Sequence, residues 1–136
     1  MTAKEAGIMT APTVFPALSY DDAPAAIKWL TGAFGLTEHF VAEGPDGTVA
    51  HAELAWDDGG MIMLGSTRED DTLRTGRCWL YLIVDDPDAH HERAVAAGAE
   101  VVLPLKDEDY GSRGYTVRDP EGHLWSFGTY RPASGT

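Results

Sequence analysis

The chain of 136 residues contains one sequence pattern twice, once in each half. Each copy opens with a short apolar run that ends in an acidic pair: the first is TVFPALSYDD and the second CWLYLIVDD. An amphipathic segment that ends at a glycine follows, and then come three short extended runs separated by turn residues. The closing runs also correspond, since residues 59–65 are GGMIMLG and residues 122–128 are GHLWSFG. The duplication predicts two modules of β-α-β-β-β order.

The predicted helix of each module begins at the acidic pair. Asp21 or Asp22 can cap the first helix and Asp86 the second, because a carboxylate accepts hydrogen bonds from the free N–H groups of a first helical turn. A proline stands in each first turn, where its missing N–H costs nothing. Gly35 and Gly98 follow the last periodic positions and indicate the helix ends.

Three strands are predicted after each helix. They lie at about 37–43, 48–56 and 60–66 in the first half, and at about 100–103, 113–118 and 123–130 in the second. The fold class is therefore α+β, in one domain at 12–131 that comprises module one at 12–66, a charged linker at 67–76 and module two at 77–131. Residues 1–11 and 132–136 are predicted to be flexible tails. Each module leaves one sheet face bare, so two modules can enclose a cleft between those faces.

Composition narrows the classes of partner. The formal net charge is −12, which repels nucleic acid and anionic membrane surfaces and attracts a cationic small molecule if the charge surrounds a cleft. The alternative is that the acidity only keeps the protein in solution. The single cysteine, Cys78, excludes an intrachain disulfide and suits a reducing compartment. No apolar run approaches the roughly 18 residues of a membrane span, so a cytoplasmic protein is expected.

Two segments resemble a known family. Residues 110–130, YGSRGYTVRDPEGHLWSFGTY, resemble the closing hairpin of glyoxalase and bleomycin-resistance proteins, and residues 15–36 resemble their opening strand and helix. The resemblance extends over residues 13–131 and indicates the vicinal-oxygen-chelate superfamily, which includes extradiol dioxygenases. It implies two modules that form a U-shaped, partly open barrel around a cleft. It also implies a homodimer, and many members of the superfamily share or swap modules between subunits, which the sequence does not decide for this chain.

The resemblance also implies where a divalent metal would be held. Catalytic members of the superfamily use four side chains, usually His and Glu, on the first and last strand of each module. The corresponding positions in this chain are Phe15, Met63, Trp79 and Ser126. None of these is a normal ligand for such an ion. We therefore expect no classical metal site and no cofactor.

His51 and Glu53 form the most interesting polar pair. They lie two residues apart on a predicted strand and therefore share one sheet face. If that face lines the cleft, they are candidates for ligand recognition or for acid–base catalysis. If it is exposed, they make only cross-strand polar contacts, and both interpretations stay open. Arg113 could clamp a ligand carboxylate or pair with Glu53.

The other histidines and the cysteine are assigned structural or surface roles. His90 and His91 are neighbours on a helix and diverge by about 100°, so they are predicted to be solvated surface residues. His123 is expected to pack or cap a turn, and His39 is isolated in the sequence. No base is predicted beside Cys78, which is therefore interpreted as structural.

The side chains at the expected cleft are largely aromatic and apolar, which suits a flat or conjugated ligand. Trp79 and Tyr81 share a strand face, although both could be ordinary core residues. The predicted ligand-binding set is Phe15, His51, Glu53, Met63, Trp79, Tyr81, Tyr110, Arg113 and Ser126.

Two functions from different classes follow. The first is a metal-free binding protein of the bleomycin-resistance type, which holds an aromatic or cationic compound between the modules. The second is a glyoxalase-like lyase or isomerase, or a dioxygenase, that uses an atypical metal site or metal-free acid–base chemistry around His51 and Glu53.

Overall fold

The computed structural model describes residues 12–69 and 76–132. The tail predicted at 1–11, most of the linker predicted at 67–76 and most of the tail predicted at 132–136 lie outside the described residues. The chain divides into two compact units after Gly76. Residues 32–34, the last turn of the first helix, belong to the second unit. Within the described parts of the chain, no helix is long and apolar enough to cross a membrane.

The first unit contains one four-stranded sheet of strand order β1-β4-β3-β2. Its strands are β1 (Ala17–Tyr20), β2 (Thr37–Glu43), β3 (Val49–Ala55) and β4 (Met61–Ser66). Helix α1 (Ala23–Phe34) connects β1 to β2. Strand β1 runs parallel to β4, and the other two pairs are antiparallel.

The second unit repeats this topology in a sheet of order β5-β8-β7-β6. Its elements are β5 (Trp79–Ile83), α2 (Pro87–Ala96), β6 (Glu100–Asp107), β7 (Arg113–Arg118) and β8 (Leu124–Gly128). The predicted α+β class and the duplicated β-α-β-β-β module are therefore confirmed. The strand predicted at 100–103 is too short, because β6 continues through Pro104. A proline is tolerated there because β6 is an edge strand with an irregular register around this position.

The helix boundaries follow the predicted capping chemistry. Asp22 Oδ1 accepts a hydrogen bond from the Ala25 N–H at 3.1 Å, so Asp22 rather than Asp21 caps α1. Asp86 Oδ1 accepts the Ala89 N–H at 3.0 Å in the same way. Helix α1 ends at Gly35, whose φ of 89° is accessible to glycine at little cost.

Alternation along each strand separates a buried face from an open face. In the first sheet, Leu18 and Tyr20 of β1, Ala52 and Leu54 of β3, and Ile62 and Leu64 of β4 are buried. In the second, the buried apolar residues are Leu82 of β5, Tyr115 and Val117 of β7, and Trp125 and Phe127 of β8. Thr116 of β7 is buried as well, although it lies on the opposite face. The residues between them lie on the opposite face of each sheet.

Asp119 organises the turn that leads into β8. Its carboxylate is almost fully buried and accepts three hydrogen bonds. Oδ1 accepts the backbone N–H groups of Glu121 and His123 at 3.0 and 3.1 Å, and Oδ2 accepts the indole N–H of Trp125 at 3.0 Å. Trp125 is completely buried and therefore lies on the opposite face of β8 from Ser126.

His90 is not the solvated surface residue that the sequence predicts. It is half-buried, and its Nε2 donates to the Phe34 carbonyl oxygen at 2.8 Å. Its Nδ1 lies 2.6 Å from the Tyr115 hydroxyl, which is the donor when the ring is neutral. The prediction failed because periodicity could not show that residues 32–34 lie beside α2 in the second unit. Burial lowers the pKa of His90.

Replacing Asp119 should destabilise the fold strongly. In Asp119→Ala three donors lose their acceptor, and we expect the free energy of unfolding to fall by about 3 kcal/mol. Denaturant unfolding followed by circular dichroism measures this loss. The exposed Asp109→Ala is the matched control and should change stability by less than about 0.5 kcal/mol. Equal stability of the two variants would contradict the role of Asp119.

His90 should make stability depend on pH. Its pKa is lower in the folded chain than the ordinary value of 6.5, so the unfolded chain takes up the proton first as the pH falls. The contribution of His90 is therefore present above pH 6.5 and decreases as the pH falls toward the folded pKa. We expect His90→Gln to reduce the stability difference between pH 5 and pH 7.5, measured by denaturant midpoints. The same difference in both proteins would show that His90 is not responsible.

Candidate functional site

The open face of the second sheet presents an exposed tryptophan in a fixed position. The indole N–H of Trp79 donates to Ser126 Oγ at 2.7 Å, and Ser126 Oγ lies 2.6 Å from Thr116 Oγ1. Trp79 is nevertheless 62% exposed. Because the hydrogen bond satisfies the polar edge of the ring and restricts its rotation, the rest of the indole is available for stacking.

One row of side chains crosses this face. Tyr81 of β5 is in register with Ser126 of β8, which is in register with Thr116 of β7, followed by Leu103 of β6. Trp79 reaches this row diagonally, since its own direct partner is Leu124. The row joins aromatic, hydroxyl and aliphatic groups, as is typical of a surface that binds a partly apolar ligand.

Tyr81 extends along the sheet and contacts the segment after β8. Its hydroxyl donates to the Tyr130 carbonyl oxygen at 2.6 Å. A Cβ atom on Gly128 would lie only 3.1 Å from that hydroxyl oxygen, so a glycine leaves room for the ring. Burial is the largest cause of a raised pKa for Tyr81, which keeps its hydroxyl proton for this bond.

Tyr110, from the predicted set, and Tyr130, which is outside it, extend the aromatic surface. Their ring centroids are 5.5 Å apart and their planes meet at 77°, while the Tyr81 and Tyr130 centroids are 6.4 Å apart. Tyr110 is 67% exposed and Tyr130 47%. The sequence analysis included Tyr110 but missed Tyr130. Tyr130 was the last residue of the strand predicted at 123–130, and its alternation with Ser126 along that strand was the available signal.

Arg113 is paired with carboxylates of its own unit that the sequence analysis did not identify. It forms a bidentate ion pair with Asp88, in which the Nε–Oδ2 and Nη2–Oδ1 distances are 3.0 and 2.9 Å. Its Nη1 lies 3.4 Å from Asp107 Oδ1. Its pairing with Glu53 and its role as a carboxylate clamp stay predictions. Hydrogen bonding within this pair raises the pKa of Arg113 and lowers that of Asp88.

Polar side chains gather on the open face of the first sheet. His51 Nε2 lies 2.9 Å from Glu53 Oε2, and His39 Nε2 lies 3.8 Å from Glu53 Oε1. His39 is therefore not isolated in the fold. The strand register shifts between Glu38 and Phe40, and this bulge presents His39 to the carboxylate. Glu53 is in register with Met63 on β4.

A cavity of about 180 Å³ lies beside this pair within the first unit. Its lining includes Ser19, His51, Met63, Ser66 and Arg68. Drug-sized ligands usually occupy roughly 300–1,000 Å³, so this cavity suits only a compact group. Phe15 does not line it and lies before the start of β1, about one-third exposed.

The four positions expected to hold a metal do not fit one. Within the first sheet, the direct partner of Met63 is Ala17, and within the second the partner of Ser126 is Tyr81. Phe15 and Trp79 precede those partners by two residues. The side chains supply thioether, hydroxyl and aromatic groups, which are poor ligands for a hard divalent ion. Across residues 12–69 and 76–132, no three His, Cys, Asp or Glu side chains are grouped so that they could hold a metal ion.

Cys78 has a neighbouring base that the sequence analysis did not identify. His123 Nδ1 lies 3.5 Å from Cys78 Sγ and 3.2 Å from the Cys78 nitrogen. His123 is buried, and its backbone N–H donates to Asp119. Burial, followed by the charge of Asp119, raises the pKa of the Cys78 thiol. The thiol therefore stays protonated and is a poor nucleophile.

Known proteins share this sequence and fold. Residues 13–127 match the glyoxalase/bleomycin resistance protein/dioxygenase superfamily. Uncharacterized proteins of Mycobacterium bovis and Mycobacterium tuberculosis are 37% identical over 126 residues, covering 86% of this chain and 82% and 74% of theirs.

Solved structures share the fold of this chain. The crystal structure of TioX from Micromonospora sp. ML1 matches with a TM-score of 0.72 and 36% identity, covering 88% of this chain and 100% of TioX. The fosfomycin resistance protein FosX from Mesorhizobium loti matches with a TM-score of 0.64 at 15% identity, covering 89% of this chain and 93% of FosX, which is a similarity of fold alone. The chain belongs to the glyoxalase/bleomycin resistance protein/dioxygenase superfamily.

Proposed function

We propose that the protein binds a flat, positively charged aromatic molecule on the open face of the second sheet, without a metal ion and without changing it chemically. The observation that carries the proposal is Trp79, which is 62% exposed while its indole N–H is held by Ser126. An exposed indole of this kind loses little conformational freedom when a ligand stacks on it.

Stacking on Trp79 provides a favourable interaction of useful size. An aromatic pair contributes about 0.5–1.5 kcal/mol beyond the area that it buries. Tyr81 stands on the same strand face, two residues away, and is 42% exposed. The two side chains together offer a surface wider than a single ring, which favours a fused or extended ring system.

Charge favours a cationic ligand over a neutral one. The formal net charge is −12, so cations are concentrated near the surface and anions are depleted. A cation that lies over an indole face gains a further 0.5–1 kcal/mol or so at an exposed site. The one arginine that the sequence analysis assigned to an anionic group, Arg113, is already paired with Asp88 and Asp107.

Quenching of tryptophan fluorescence tests the proposal. We expect N-methylquinolinium and bleomycin to quench the wild-type protein, with quinolinium binding more tightly than neutral quinoline at pH 8. Trp79→Ala should weaken quinolinium binding at least 10-fold, and Ser126→Ala should weaken it less, because the ring stays but is no longer held. Trp29→Phe, on helix α1, is the matched control and should bind as wild type does. Full retention of binding in Trp79→Ala would refute the proposal.

A catalytic function is the second candidate, and the His51–Glu53 hydrogen bond beside the cavity of the first unit is the observation that favours it. A carboxylate can orient an imidazole for proton transfer. If the protein only binds its ligand, we expect the wild-type protein and Glu53→Gln to give the same background turnover of methylglyoxal with glutathione. The assay is run with and without added divalent metal. Turnover that disappears in Glu53→Gln and His51→Ala would establish the enzyme instead.

A further inference from the structure

Three tyrosines come together at one end of the second sheet. Tyr81 lies on β5, Tyr110 in the turn between β6 and β7, and Tyr130 just after β8. The Tyr110 and Tyr130 rings meet at 77°, so their faces form a corner, and the Tyr81 ring lies beside Tyr130. All three are between 42% and 67% exposed. We call this group the tyrosine corner.

The backbone holds each member of the tyrosine corner in place. The Tyr81 hydroxyl donates to the Tyr130 carbonyl oxygen. Tyr130 follows Thr129, whose N–H donates to the Arg113 carbonyl oxygen at 3.1 Å and whose Oγ1 accepts the Arg113 N–H at 3.0 Å. Tyr110 precedes Gly111, whose φ of 89° closes the turn. Fixed rings reduce the entropy lost when a ligand binds.

The charges around the tyrosine corner are mostly negative. Tyr110 follows three consecutive carboxylates at 107–109. Asp107 is near Arg113, and Glu108 is near Lys106 at 3.9 Å. Asp109 has no ion-pair partner among the described residues. Asp109, which directly precedes Tyr110 in the chain, therefore adds a negative charge that attracts a cation to this end of the sheet.

One cation opposes this attraction. Arg131 directly follows Tyr130 and is close enough to Tyr81 to influence its titration. Its Nη2 lies 3.9 Å from Asp85 Oδ1, and both side chains are well exposed. Their charges largely offset each other at longer range, so the field of Asp109 is not cancelled.

We propose that the tyrosine corner binds a quaternary ammonium group, with the cation resting on the faces of Tyr110 and Tyr130. Neutral aromatic rings attract a cation through their quadrupole, and a methylated ammonium loses little hydration on contact. A primary ammonium is a weaker candidate, because it is strongly hydrated and needs hydrogen-bond acceptors that ring faces do not supply. This inference deepens the proposed function, because it names the site for the charged group of a ligand whose ring stacks on Trp79.

Choline and its uncharged isostere 3,3-dimethyl-1-butanol separate charge from shape. We expect choline to shift the NMR signals of the tyrosine rings in the wild-type protein and to bind at least 5-fold more tightly than the isostere. Equal binding of the two compounds would overturn the proposal. A lack of choline binding would also overturn it. Quenching of Trp79 fluorescence by N-methylquinolinium would in that case still support the proposed function.

Variants locate the site. Tyr110→Leu should weaken choline binding at least 5-fold, whereas the control Trp29→Phe, on helix α1, should bind choline as wild type does. Arg131→Gln should bind about 2-fold more tightly, because the opposing charge is gone. Trp79→Ala should bind choline normally while losing quinolinium. Unchanged choline affinity in Tyr110→Leu, or loss of choline binding in Trp79→Ala, would show that the cation binds elsewhere and would overturn the assignment.

Discussion

The buried carboxylate of Asp119 is the interaction on which the second sheet most depends. It holds two backbone N–H groups of the turn before β8 and the indole of Trp125, and so fixes where that strand begins. Side chains alternate along a strand, and a slip by one residue would exchange the two faces. With Trp125 held in the core, Ser126 must lie on the open face. The position of Trp79 follows, because its indole bonds to Ser126.

The two modules use the same scaffold for different surfaces. The central row of the first sheet consists of Ala17, Met63, Glu53 and Phe40. The corresponding row of the second consists of Tyr81, Ser126, Thr116 and Leu103. The first row combines a carboxylate with a compact cavity, and the second combines an aromatic ring with hydroxyl groups. The repeated framework thus presents a polar surface in the first unit and an aromatic and hydroxyl surface in the second.

Much of the fold could be predicted from the sequence, because its determinants are local. The aspartate caps, the glycine after α1 and the strand alternation depend on residues within a few positions of one another. The errors and omissions involve partners distant in sequence. Arg113 pairs with Asp88, and His90 bonds to Phe34, 56 positions away. Such contacts can be identified only when the topology of the fold is known. The predicted homodimer, the cleft between the modules and the absence of a metal stay predictions.

The hydrogen bonds of Ser126 support the proposal that this position takes part in binding without a metal ion. A hydroxyl oxygen has two lone pairs and one proton. Ser126 Oγ accepts the Trp79 indole N–H and shares a hydrogen bond with Thr116 Oγ1, so most of its capacity is already used. A metal ion at this oxygen would have to displace the indole, and a free indole would then lose its fixed orientation. The same bond that removes Ser126 from the set of available ligands holds Trp79 in place for stacking. At this position the hydrogen bonds of Ser126 therefore support the proposal of a rigid aromatic surface that binds without a metal ion.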